Sequence, residues 1–246
     1  MNTLLIRFAL LCALLLLAAG ARAEVVNVYT SANFAPLMLG DGRGIYPDLV
    51  AHLNRKKPGG LTFRLQFMPR KRLQVKLEEG SLDGIVIGLM PEWVADSAQQ
   101  KYLWTAPFSS DRFALVSLAT DPVDPARTAA HTRRTIGVTT GYVYPGLGEW
   151  FARSGLQPRE GASDEKNIEK LLLGRVDCVI VAESMARYFI RTHQFDTRLR
   201  MAAMPGPATE RRFLVQHRHA GIYRHLAPAV KKLAGDPAWQ RATAAY

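Results

Sequence analysis

The chain has 246 residues and a formal net charge of +11, long enough to bury one large core or two smaller ones. Its Lys and Arg residues are scattered and lack the zinc-finger or aromatic RNA-binding signatures that would focus them, so nucleic acid is excluded as a partner. Solubility accounts for most of the charge, with an anion-binding contribution from one basic cluster.

Read from its beginning, the chain opens on a targeting pattern. Arg7 supplies a positive start, Phe8 to Ala19 is an apolar run without charge, and Ala21-Arg22-Ala23 is a small-x-small cleavage site. This predicts a secretory signal peptide over residues 1–23, cleaved after Ala23, and a periplasmic protein; the run is too short to span a bilayer. No later segment approaches the roughly 18 consecutive apolar residues that a membrane span needs. Cleavage removes Arg7 and Arg22 and leaves a charge of +9. It also removes Cys12, so Cys178 has no intramolecular partner. In the run Val176–Val181 that thiol is expected to be buried and inert.

Short apolar runs then alternate with amphipathic ones. Val25–Tyr29 reads as a strand, Tyr46–Leu53 as a helix, Leu61–Phe67 as a half-buried strand, Arg72–Glu79 as a helix and Ile85–Leu89 as a buried parallel strand. Asp121-Pro122 and Asp124-Pro125 mark a turn-rich connection, after which the rhythm restarts. Thr135–Thr139 is a strand, Gly148–Ser154 and Asn167–Leu173 are helices, Cys178–Val181 is a strand and Met185–His193 a helix. Phe213–Gln216 (strand), Leu226–Leu233 (helix) and a short amphipathic end follow. Strands alternating with helices predict an α/β protein with parallel sheets.

The halves echo each other. Residues 76–88 and 169–181 share a helix end, a Gly, an aliphatic residue, an Asp and an apolar strand. Gly80 and Gly174 suit the left-handed helix end, Leu82 and Val176 pack back on it, and Asp83 and Asp177 cap the turn. Two similar lobes are therefore expected: residues 24–118 with 207–246, and residues 119–206. Linker strands are expected near Leu115–Ala119 and Leu199–Ala203.

These residues resemble a known family. Thr30–Leu37, Gly44-Ile45-Tyr46-Pro47-Asp48-Leu49, Glu79–Gly84, Tyr102–Ser109, Ile136–Tyr142 and Gly174–Asp177 are similar, in order and spacing, to the family 3 extracellular solute-binding proteins. These are the polar amino-acid receptors of bacterial ABC importers. The resemblance covers essentially the whole mature chain. It implies two α/β lobes, each a mainly parallel sheet flanked by helices, joined by two hinge strands with the ligand bound between them.

The departures concern the ligand. In that family the segment after the Asp-strand carries an Arg that grips a carboxylate. The corresponding stretch here, Leu89-Met90-Pro91-Glu92-Trp93-Val94-Ala95-Asp96, has none. The ammonium-pairing Asp should follow Val181, where Ala182 stands and Glu183 is one place on. Met68-Pro69-Arg70-Lys71-Arg72 resembles the Pro-Trp-x-Arg of another branch, and Arg70 and Arg72 are either an anion clamp at a helix start or a solvated patch. Phe34 and Trp93 are candidate aromatic walls, beside Leu89 and Met90. Thr139, Thr140, Gly141 and Tyr142 lie where open α/β sheets bind ligands, with a simple helix cap as the lesser alternative for the hydroxyls. Glu183 either pairs a ligand ammonium or complements a helix dipole.

His217, His219 and His225 lack the carboxylate or Cys that would complete a zinc set, and there is no nucleophile elbow, phosphate-cradling loop or metalloprotease helix. No metal, cofactor or catalytic residue is expected. The leading reading is a monomeric periplasmic receptor for a small polar, anionic or amino-acid-like solute, working by hinge closure with an ABC permease. The alternatives are a dehydratase-like enzyme on the same fold, with Glu183 as its acid, and a ligand-sensing domain without a transport role.

Overall fold

The computed structural model describes residues 24–127, 133–244 and 246, so the expected leader and its cleavage site lie outside the described residues. Strands β1 (Val25–Thr30), β2 (Thr62–Phe67) and β3 (Gly84–Leu89) are parallel in the order β2-β1-β3. Helices α1 (Ile45–Lys56) and α2 (Arg70–Glu78) connect them. The four-residue spacing of Ile45, Leu49 and Leu53 brings all three, with Tyr46, onto the sheet as core. Asp48 in the first turn of α1 and Arg55 and Lys56 in its last complement the helix dipole.

Beyond β3 the sheet continues with β4 (Leu103–Trp104), β5 (Ser109–Asp111) and a strand from the end of the chain, β11 (Thr209–Val215). β11 runs antiparallel to β3, β4 and β5. Helices α6 (Ala220–Lys231) and α7 (Pro237–Thr243) close this lobe. One core lies on the α1–α6–α7 side around Phe213, the other under α2 around Leu214 and Val86.

The second sheet has five strands in the order β10-β6-β9-β7-β8: β6 (Phe113–Leu118), β7 (Thr135–Thr139), β8 (Gln157–Gly161), β9 (Cys178–Ala182) and β10 (Leu199–Ala203). Helices α4 (Asp164–Leu172) and α5 (Glu183–His193) cover one face, and α3 (Gly148–Ser154) with Trp150 covers the other. Val86 and Val179 thus belong to different sheets, as two lobes require.

Three expectations change. Each sheet is mixed rather than mainly parallel, because strands arriving from the other lobe add antiparallel to the parallel ones. Of the expected linkers Leu115–Ala119 and Leu199–Ala203, Leu115–Leu118 lies in β6 and Leu199–Ala203 is β10, its neighbour inside the second sheet. The chain passes between sheets at β5 and at the start of β11, which pair with each other through Thr209–Asp111 and Arg211–Ser109. Lastly, Asp83 and Asp177 do more than cap their own turns. Asp83 accepts from the Tyr29 hydroxyl at 2.7 Å and Asp177 from the Thr135 amide at 2.6 Å, so each fastens its turn to the neighbouring strand.

Gly80 and Gly174 both have φ of +66°, and Leu82 and Val176 are buried beside them. No helix among the described residues is long and apolar enough to cross a membrane. Cys178 is fully buried in the central strand β9, where burial pushes its thiol up to about 12. A thiol reagent is expected to leave the native protein unlabelled over hours and to label it fully in denaturant; rapid native labelling would contradict this packing.

Candidate ligand-binding site

The ends of the strands face each other across a cleft of about 870 Å³, open mouth included. One wall comes from the loop after β1 (Thr30 to Phe34), the end of β3 (Ile87, Gly88, Leu89), Trp93, the start of α2 and β11. The other comes from Phe113, Gly141, Tyr142, Val143, Asp164 and Ala182. Phe34 packs against the cores of both lobes.

Arg211 forms the floor. Along β11 the alternation Thr209, Arg211, Phe213, Val215 is buried, so a strand period of two carries this guanidinium to the inner face. Opposite it, Arg212 pairs with Leu89 but Phe213 pairs with Ile87, which leaves Gly88 as an extra residue in β3. Gly88 has φ of +86°, the conformation that lets glycine form such a bulge. Its missing side chain makes room for the Tyr46 hydroxyl, since a Cβ there would lie 1.9 Å from that oxygen.

Arg211 is 7% exposed, and its Nη1 reaches the Tyr46 hydroxyl at 3.3 Å and the Gly88 carbonyl at 3.4 Å. Its Cζ sits 5.4 Å from the centre of the Trp93 ring. Its Nε is buried without a hydrogen-bond partner, and no described carboxylate pairs with the guanidinium. The indole Nε1 of Trp93 is likewise buried without a partner. A second cation joins them, since Arg70 donates from Nη2 to the Trp93 carbonyl at 2.8 Å.

From the facing lobe comes Asp164, the first residue of α4, whose start is fixed by Ser163 accepting from the Lys166 amide. Asp164 is 4% exposed; its Oδ1 accepts from the Thr139 hydroxyl at 2.5 Å, and its Oδ2 accepts no hydrogen bond from a described residue. Burial lifts this carboxyl to about 6, against the Thr139 hydrogen bond and the charge of Arg211, which pull it down.

Of the residues expected from sequence, Phe34, Arg70, Leu89, Trp93, Gly141 and Tyr142 line the cleft together. The others do not. Arg72 is exposed on α2, and Met90 is buried outside the lining. Thr139 is spent on Asp164, and the Thr140 hydroxyl lies 3.2 Å from each of two acceptors outside the cleft lining, a Glu160 carboxylate oxygen and the Gly161 carbonyl. Glu183 is ion-paired with Arg187 one helical turn on, at 2.5 Å. Arg211 and Asp164 went unrecognised in the sequence. Glu210-Arg211-Arg212 reads as scattered surface charge, and Asp164-Glu165 as ordinary first-turn acids. The one available signal was the period of two linking Arg211 to Phe213.

The lining therefore offers two guanidinium groups, one carboxyl and aromatic walls, which suits binding of an anion. Among the described residues no group of three or more His, Cys, Asp or Glu could hold a metal ion.

No protein-family model matches the sequence, and none of the curated proteins does. Solved structures are similar in fold. An ancestral arginine-binding protein bound to arginine superposes with a TM-score of 0.68 at 15% identity, over 89% of this chain and 96% of that one. The substrate-binding protein of an amino-acid ABC transporter gives 0.68 at 16% identity, over 89% and 97%. The BvgS periplasmic VFT2 domain of Bordetella pertussis gives 0.65 at 19% identity, over 84% and 87%. The chain has the two-lobed fold of these binding proteins.

Proposed function

We propose that this is an exported binding protein that captures a small polar solute with an anionic group between its lobes and delivers it to the permease of an ABC importer. The observation that carries this reading is Arg211. A buried guanidinium without a counter-ion costs several kcal/mol, and an arriving carboxylate offsets that cost. Similarity in fold to an arginine-binding protein and to a substrate-binding protein of an amino-acid ABC transporter supports the same class. So does the leader pattern of residues 1–23.

Capture works by population shift. Arg211, Arg70, Trp93 and Phe34 hold the solute on one lobe, and Asp164, Gly141 and Tyr142 meet it from the other. A ligand touching both lobes favours the closed state by its differential affinity. The protein acts as a monomer and releases the solute chemically unchanged.

A thermal-shift screen of small acids and amino acids tests this. A ligand at 100 times its dissociation constant adds about 2.7 kcal/mol of stability, and the bound compound is expected to be recovered intact. Conversion of the compound by the protein would favour an enzyme, and a screen without any stabilising anion would remove the reading.

A further inference from the structure

The proposed capture leaves one group unexplained: a buried carboxyl aimed at the cleft with one oxygen free. We propose that the ligand is a small organic carboxylate without an ammonium group, held by Arg211 from one lobe and by the carboxyl of Asp164 from the other. This rests on the reading of the cleft as a binding site for an anion.

The charges lining the cleft favour it. Two guanidinium groups face a single carboxyl, so the lining is complementary to a net negative ligand. At the position where an ammonium-pairing acid would stand on the resemblance, Ala182 lines the cleft with a methyl group. An ammonium would bring three N–H donors to a region whose one acid already shares an oxygen with Thr139.

The groups around Asp164 show why it takes up a proton when an anion binds. From β7 the Thr139 hydroxyl donates to it, and from its own helix Glu165 repels its charge. In the loop after β7 stand Tyr142 and Tyr144, whose hydroxyls are kept neutral chiefly by burial and, to a lesser degree, by the charge of Asp164. From β11 comes Arg211, whose positive charge pulls its pKa down. Arg70 stands near Tyr142. A carboxylate on Arg211 cancels that favourable charge and adds a negative one. The proton comes from solvent, and the new O–H on Oδ2 donates to a ligand oxygen. With the free carboxyl at about 6, affinity is full below that pH. It falls by about tenfold per unit above it, until the higher pKa of the bound state is reached.

The test uses pairs that share a carbon skeleton: phenylpyruvate and L-phenylalanine, 2-oxoglutarate and L-glutamate, 4-methyl-2-oxopentanoate and L-leucine. Thermal shift is measured with the whole mature protein at pH 5.5 and 8. Oxo-acid carboxylates stay ionised throughout, so the protein alone supplies the pH dependence. The expected result is that an oxo acid stabilises at pH 5.5 more than its amino partner, and less at pH 8. Calorimetry in buffers of different ionisation enthalpy should then show uptake of about one proton. Asp164→Asn, which cannot ionise, should bind the oxo acid about tenfold or more tightly than wild type at pH 8, with the pH dependence gone. Stabilisation by an amino acid above its oxo partner, surviving at pH 8 and lost in Asp164→Asn, would overturn this inference while leaving the cleft as the site. Absence of stabilisation by all six compounds would overturn both.

Discussion

Replacing Arg211 by methionine is expected to weaken ligand binding by about 30-fold or more, the loss that follows when 2–5 kcal/mol of a desolvated charge pair disappears. Methionine keeps the packing on Trp93 and removes only the charge and its donors. The same substitution is expected to leave the ligand-free protein as stable as wild type or more so, because a buried cation without a counter-ion has been taken away. These opposite signs separate a binding residue from a structural one. Calorimetry with the ligand identified by thermal shift, beside a thermal melt of the free protein, reads both. Binding within threefold of wild type would show that the anion is gripped elsewhere. Arg70→Ala, which removes a more exposed cation, should cost about tenfold, and Arg72→Ala, outside the cleft, should change nothing measurable.

Gly88→Ala is expected to destabilise the fold by about 2–5 kcal/mol. A left-handed non-glycine residue costs about 1–2 kcal/mol, and overpacking commonly adds about 1–3. Both apply here: φ is +86°, and the new Cβ would lie 1.9 Å from the Tyr46 hydroxyl oxygen and 2.4 Å from Cζ. Tyr46 is fully buried and packs edge-on against Phe108, so it has no room to retreat. Urea denaturation measures the loss. Since the hydroxyl is the nearest obstacle, Tyr46→Phe should relieve part of it, and the double mutant should be more stable than the sum of the singles implies. A cost below about 1 kcal/mol for Gly88→Ala would mean that the bulge can relax.

Hydrophobic period and glycine punctuation made most of the scaffold legible. Thr135–Thr139 and Gly148–Ser154 have the bounds their patterns imply, and the repeated Gly-x-aliphatic-Asp unit marks equivalent corners of both lobes. The crossing strands were misread for a physical reason. Phe113–Leu118 is buried on both faces, a pattern that fits an interior strand of either lobe, and partner choice is non-local. About half of the expected residues fall in the lining of the candidate cleft, because aromatic residues and glycines after strands point to the sheet ends. Arg211 and Asp164 were not, because a lone charged residue looks the same in sequence whether it meets solvent or a cleft. The bulge at Gly88 shapes the floor of the site, and it exists only once β3 pairs with β11.

The ribbon of β5 and β11 carries both the passage between lobes and Arg211. In the proposed capture, the anion's contact with Arg211 therefore lies near the pivot, where a rotation of the lobes produces little displacement. In the proposed closure Asp164, on the other lobe, is carried toward it. On that proposal, encounter and commitment would be separate events in time: the open protein would recruit by long-range attraction to a nearly stationary charge, and residence would be set by how long the moving lobe stays shut. Selection between similar acids would then fall on the second event, with a poor ligand admitted as fast as a good one and leaving sooner.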